Sequence, residues 1–365
     1  MHFTFPEAER AYRDDRIAEL TANPDGMRFL LLRSLSRAEH TDRLAADIGM
    51  DLEPIPRGQR LRHLFEAGVS KRQMEATISA IHAAERAERA RSEGVLITEL
   101  YKMQVFDWGG LHQNSLEKTI IDNYVKKIAS FDRLNECIDN ELLASMRGYV
   151  QCSWYNHWTS IIIEDIFKAH RAVLPAVGLI KKVDFFIADV PFDLKVTYLP
   201  EGYLKDKRSE RQLRPELTLL KREARDLEVH FDATLPEARL LELLWNRLSD
   251  HPRQSAQDLI RELCDQRRQL LNDCVRDPGG LIRWLYENQG VRRFDASNRL
   301  FLVLVNTQNY FASWKLKRAK DLLERDIRRY LDALSGNRVG RRIEFDWEGE
   351  RHTATSDAVF VMHGA

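Results

Sequence analysis

The stretch that most restricts the fold is residues 181–197, KKVDFFIADVPFDLKVT. Two runs of β-branched and aromatic residues, 183–187 and 192–197, flank the short connection Ala188-Asp189-Val190-Pro191, which is the pattern of a β-hairpin. Alternate side chains of a strand share a face. Phe192, Leu194 and Val196 therefore point one way, toward a core, and Asp193 and Lys195 point the other. Asp184, at the start of the first run, falls near that same polar edge. Two carboxylates and a lysine on neighbouring strands suit a hard divalent cation beside a phosphate. Mg²⁺ prefers carboxylate oxygens, and a lysine can orient an attacking water. The same pattern also fits the solvated outer face of a half-buried hairpin.

The preceding segment, residues 158–170 (WTSIIIEDIFKAH), places Trp158, Ile162, Ile163, Ile166 and Phe167 close to a helical repeat. Glu164 interrupts that apolar surface. A carboxylate so placed needs a partner, and either a metal or the hairpin lysine would serve. Glu164, then Asp184, then Asp193-Leu194-Lys195 resembles the PD-(D/E)XK nuclease superfamily, whose best-known members are restriction endonucleases. Val183 stands where the name has proline, and the resemblance covers about residues 154–197.

The resemblance implies a mixed α/β fold, a restriction-endonuclease-like core sheet flanked by helices. It implies Mg²⁺, with Mn²⁺ able to substitute, held by Asp184 and Asp193 with the backbone carbonyl of Leu194. Glu164 would hold a second ion or its water, with the three carboxylates converging on one coordination sphere. Lys195 would orient the water for in-line attack on phosphorus. The closest functional analogy is a type II restriction endonuclease in phage defence, cutting double-stranded DNA as a homodimer. Two alternatives stay open: another defence or repair nuclease of the same fold, or a DNA-binding regulator on an inactive nuclease scaffold. Glu117, on an amphipathic helix expected at 114–128, is the rival to Glu164. Asp165 points roughly 100° away around the helix and is expected to be dispensable.

The chain has 365 residues, enough for a large core and two or three structural units. Its formal net charge is zero with 31% charged residues, so no global basic character announces a nucleic-acid partner, although basic groups can be confined to one cleft. Cys137, Cys152, Cys264 and Cys274 are widely spaced and read as free thiols of a reducing compartment. No run approaches the roughly 18 apolar residues of a membrane span, and the amino terminus has no apolar signal core, so a cytoplasmic protein without membrane contact is expected. No phosphate-binding glycine loop and no CxxC or HExxH spacing is present, which gives no support to a nucleotide cofactor or a zinc hydrolase.

Along the chain, residues 1–93 read as a helical amino-terminal region for DNA binding or dimerisation. Residues 94–365 read as the nuclease domain, with a helical insertion at about 205–297. Gly68-Val69-Ser70 followed by a helix from 71 to about 91 is compatible with a helix-turn-helix offering Lys71, Arg72 and Gln73 to DNA, although an ordinary helical hairpin with a solvated charged face is the favoured reading. A basic segment at 201–225 could face phosphates or solvent, and a strongly basic helix is expected over 314–334. LFLVLVN at 300–306 predicts a strand buried on both faces, the fourth core strand of the resembled fold. Two short strands are expected at 342–347 and 358–362, with a turn at Glu348-Gly349.

Overall fold

The computed structural model describes residues 2–111, 115–180, 183–288, 297–334, 339–347 and 349–364. Among these, six strands form one mixed sheet. β1 (Val173–Ile180), β2 (Val183–Ile187) and β3 (Val190–Tyr198) make an antiparallel meander, and β4 (Arg299–Asn306) lies parallel to β3. β5 (Arg341–Trp347) and β6 (Glu350–His363) pair antiparallel, with β6 parallel to β4, so the order is β1-β2-β3-β4-β6-β5. The hairpin at 183–198 turns on two residues. Ala188 and Asp189 both have positive φ (47° and 65°) inside the closing pair Ile187↔Val190, the turn geometry that matches strand twist. Val190 and Pro191 thus belong to β3 rather than to the connection. Lys181 and Lys182 lie outside the described residues.

β1 was not anticipated. Its sequence, VLPAVGLI, holds a proline and a glycine, both depleted in strands, and it is tolerated because it is an edge strand. The glycine is needed: a Cβ on Gly178 would lie 2.2 Å from the Ser34 carbonyl oxygen, while Ser34 Oγ accepts a hydrogen bond from the Val177 N–H at 2.9 Å. That close approach fixes the amino-terminal helices on the sheet. They are α1 (Phe5–Arg13), α2 (Ile17–Thr21), α3 (Pro24–Ser34), α4 (Ala38–Ile48), α5 (Arg60–Glu66) and α6 (Lys71–Tyr101). Their core, including Phe29, Leu30, Leu31, Met74 and Ile78, is continuous with Val177, Ile180, Val183 and Phe186 of β1 and β2. The boundary expected at 93/94 lies inside α6, which runs unbroken through Gly94.

The expected order of helix, glycine turn and helix is present as α5, Gly68 and α6. Ser70 caps α6, and Gln73 Oε1 accepts from the Ser70 N–H at 3.0 Å. Lys71 Nζ donates to Asp189 of the hairpin turn at 2.5 Å. Lys71 and Gln73 thus make intramolecular hydrogen bonds, while Gln73 stays exposed.

Next come α7 (Leu116–Ile120), α8 (Phe131–Cys137) and α9 (Leu143–Lys168). Asn114 lies outside the described residues, and the helix expected over 114–128 gives way after Ile120 to a π turn, Ile121–Val125. α9 absorbs the whole aromatic stretch 148–160 and carries Glu164 in its last turns.

Between β3 and β4 run α10 (Glu201–Glu210), α11 (Glu216–Asp226), α12 (Glu237–Ser249), α13 (Gln254–Arg276) and α14 (Gly279–Asn288); α15 (Lys320–Ala333) follows β4. β4 is buried on both faces, as its unbroken apolar run predicts. Leu300, Leu302 and Leu304 pack with α9 and α15, and Phe301, Val303 and Val305 pack with α10, α13 and α14. The result is helix, sheet and helix in three layers, with α11, α12 and α13 closing a smaller cluster beside them.

The basic segments are largely engaged internally. Lys207 pairs with Glu210, Arg211 with Asp273, and Arg208 donates to the Arg214 carbonyl. The helix expected over 314–334 is split into a 3₁₀ turn, Tyr310–Arg318, and α15. In that turn Lys317 is buried and donates to Asn156 Oδ1, and Arg318 donates to the carbonyls of Leu100 and Met103. β6 is longer than expected and lies within the sheet, next to β4; Glu348 of the expected turn is outside the described residues. All four cysteines are free. Among the described residues no helix is long and apolar enough to cross a membrane.

Candidate active site

The β2–β3 ladder stops at Phe185↔Phe192, and from Asp193 onward β3 pairs instead with β4. Where the ladder ends, the Asp184 side chain replaces a backbone partner: its Oδ2 accepts the Leu194 N–H at 2.7 Å. Leu194 thus meets the site through its amide, while its side chain packs on the α9 layer with Phe192 and Val196, as the alternation requires.

Asp193 is not on a solvated face. It is only 8% exposed, beside Arg299 of β4, whose guanidinium lies over the Tyr286 ring of α14. Its Oδ1 accepts from Lys195 Nζ at 2.6 Å, and Arg299 Nε of β4 stands 3.7 Å from its Oδ2. Lys195 itself keeps a third of its side chain exposed.

Glu164 finds neither a metal nor the hairpin lysine as its partner. Lys168, one turn further along α9, donates to its Oε2 at 2.7 Å. Glu164 is nonetheless the helical acid beside Asp184. Both line a cleft of about 500 Å³ whose walls include Lys168, Arg89 and His82. Burial, then the neighbouring Glu164 carboxylate, push Asp184 up to about 6; Asp193 adds to this, while the Leu194 N–H and Lys168 oppose it. The rival Glu117 is exposed on α7.

Asp165, expected to be dispensable, clasps two helices. Arg89 of α6 donates to both its oxygens, at 2.8 and 2.7 Å, and His82 Nε2 lies 3.6 Å from Oδ1. Burial raises its carboxyl, but His82 and Arg89 outweigh that and hold it at about 2.

The structure therefore brings Glu164, Asp184, Asp193 and Lys195 into one neighbourhood and adds Lys168 and Arg299, which sequence reasoning missed. Lys168 was findable, since it follows Glu164 by four residues on a helix. Arg299 was not, since a hundred residues separate it from the hairpin and only strand register brings it there.

Among the described residues, no group of three or more His, Cys, Asp or Glu side chains is arranged to hold a metal ion, so the expected convergence on one coordination sphere is not seen. Each carboxylate leans instead toward a basic group or an amide. In donor chemistry the three carboxylates would suit a hard cation, and Asp184 is kept from ionising first by burial and then by the neighbouring Glu164 carboxylate. Compared with known proteins, the chain matches no family model, no curated protein and no solved structure.

Proposed function

We propose that the protein is a Mg²⁺-dependent endonuclease of the restriction-endonuclease-like fold. Its nearest functional analogue is a type II site-specific enzyme of phage defence acting on double-stranded DNA. The observation that carries the reading is the placement of Glu164 and Asp184 in one cleft, with Asp193 following on the next strand, three acids drawn from α9, β2 and β3 in the order of the resembled family. Element order supports it too: an acid-bearing helix, a three-stranded meander, a helical crossover, and a buried strand parallel to β3.

Asp184 and Asp193 would hold the ion, with Glu164 and the Leu194 carbonyl completing the oxygen set, and Mn²⁺ would replace Mg²⁺. When bound, such an ion acidifies water and neutralises charge on the phosphate. Lys195, the more exposed of the two cations on Asp193, can leave that carboxylate and direct its ammonium toward an attacking water or a phosphate oxygen. Lys168 holds the Glu164 carboxylate at the cleft wall. Two-strand cutting of a symmetric site would call for a homodimer.

One observation favours a second reading, a DNA-binding regulator on an inactive scaffold. Lys168, Lys195 and Arg299 balance the three acids without any ion. Calorimetric titration with Mn²⁺ separates the two. The endonuclease reading expects saturable binding by the wild type that weakens at least about tenfold in Asp184→Asn. A folded wild type that takes up no Mn²⁺ would favour the scaffold.

A further inference from the structure

The segment from α7 to the first half of α9 has no core of its own. Between Ser115 and Gln151, Cys137 is the one buried residue among those described. α7 and α8 span five and seven residues, and helices that short are marginal in water unless an apolar face is packed. They and the π turns after them, Ile121–Val125 and Ile138–Leu142, pack on one another and on α9. Large apolar side chains are left outside: Val125, Phe131 and, on α9, Leu143, Val150 and Trp154. Spacings of seven and four put those last three on one line of the helix. Phe131 projects furthest, 75% exposed.

Beside that line lies an open groove of about 620 Å³, with Val105, Leu143, Asp139 and Arg147 in its walls. Arg147 forms no ion pair among the described residues, and neither does Asp132 beside Phe131. A projecting ring flanked by a carboxylate and an apolar groove flanked by a guanidinium are complementary in shape and charge. Residues 115–142 hold six acidic and four basic side chains, an excess of negative charge that disfavours DNA phosphates as the occupant. The whole chain has zero formal net charge, so two copies do not repel each other. An interface of standard size takes about 800 Å² and roughly 20–30 residues from each partner, which residues 115–154 with Val105 can supply.

We propose that this face is the two-fold interface between two copies of the chain. Each copy lodges Phe131 in the groove of the other and sets Asp132 against Arg147 of the partner subunit. A two-fold makes every contact twice, so one complementary pair of features closes the assembly. Packing between copies then supplies the burial that α7 and α8 lack within one chain. The inference goes beyond the endonuclease reading and does not need it, since no residue of the acid set takes part.

The test is analytical ultracentrifugation of the full chain at micromolar concentrations, with circular dichroism as the check on folding. The wild type is expected to sediment as a dimer. Phe131→Ser, Asp132→Arg and Arg147→Asp are each expected to weaken association at least about tenfold. All three positions are exposed in the single chain, so the helical signal should stay as it is. The double reversal Asp132→Arg with Arg147→Asp is expected to restore association to within about threefold of the wild type. A monomeric wild type overturns the inference, as does a dimer that none of the single variants weakens, or single reversals that the double variant fails to rescue. A monomer whose Phe131→Ser variant loses affinity for a duplex oligonucleotide assigns the face to DNA and overturns it too. If Phe131→Ser does not fold, the reversal pair decides. None of these readouts involves cleavage, so failure of the endonuclease reading leaves them unchanged.

Discussion

Asp193 and Lys195 stand two residues apart on one strand, yet their removal should have different consequences. Truncating Lys195 exposes no cavity and leaves Asp193 with Arg299 nearby, so Lys195→Ala should lie within about 1 kcal/mol of the wild type in urea denaturation. Asp193→Ala withdraws a buried counter-charge from Arg299 and should lose on the order of 3 kcal/mol. Equal stability of the two variants would contradict the buried position of Asp193.

Asp184 makes a pH prediction. Its folded pKa, about 6, exceeds the unfolded value near 4, so the folded state binds the extra proton between them. Its contribution is full below about pH 4 and is lost as pH rises through 6. Denaturation of ion-free protein at pH 4–7 should show this slope, and Asp184→Asn should remove it. The choice of helical acid is tested by Glu164→Gln, expected to lower cleavage at least about a hundredfold, against Glu117→Gln, expected to leave it unchanged.

The order glutamate, aspartate, DLK was legible because each residue violates its local pattern: a charge on an apolar helix face, or polar groups alternating within a hydrophobic strand. The burial of Asp193 was not legible, since a single hairpin carries no record of the helices that cover its other side.

At the scale of elements, the Asp165–Arg89 clasp joins α6 to α9 and holds the Glu164 helix against the amino-terminal region. Asp165→Asn should lower stability by about 1–2 kcal/mol at neutral pH, the range being tempered by the part-exposed Arg89. Because its folded pKa is depressed to about 2, that contribution is present above about pH 4 and disappears as pH falls toward 2. Melts at pH 7 and pH 2 should therefore differ between wild type and variant only at the higher pH.

Elements were readable where one period dominated, as in β4. They were missed where a breaker residue has a tertiary justification. Pro175 and Gly178 make β1 look like a loop until α3 is placed against it. Gly94 makes α6 look finished, although a Cβ there would meet open space.

Across the whole molecule, the amino-terminal helices share one core with β1 and β2. Removing residues 1–69 should uncover Val177, Ile180, Val183 and Phe186 and yield an aggregating protein by size-exclusion chromatography, rather than a trimmed, monodisperse enzyme. The same core carries the strands of the acid set proposed for cation-dependent hydrolysis of DNA. The measurement that tests it most directly is cleavage of supercoiled plasmid and phage DNA by wild type and Lys195→Ala, in Mg²⁺, in Mn²⁺ and in EDTA. The wild type is expected to cut in either cation and not in EDTA, and the folded Lys195→Ala variant is expected to cut in no condition. Full cutting in EDTA, or wild-type cutting by Lys195→Ala, would contradict the proposed function.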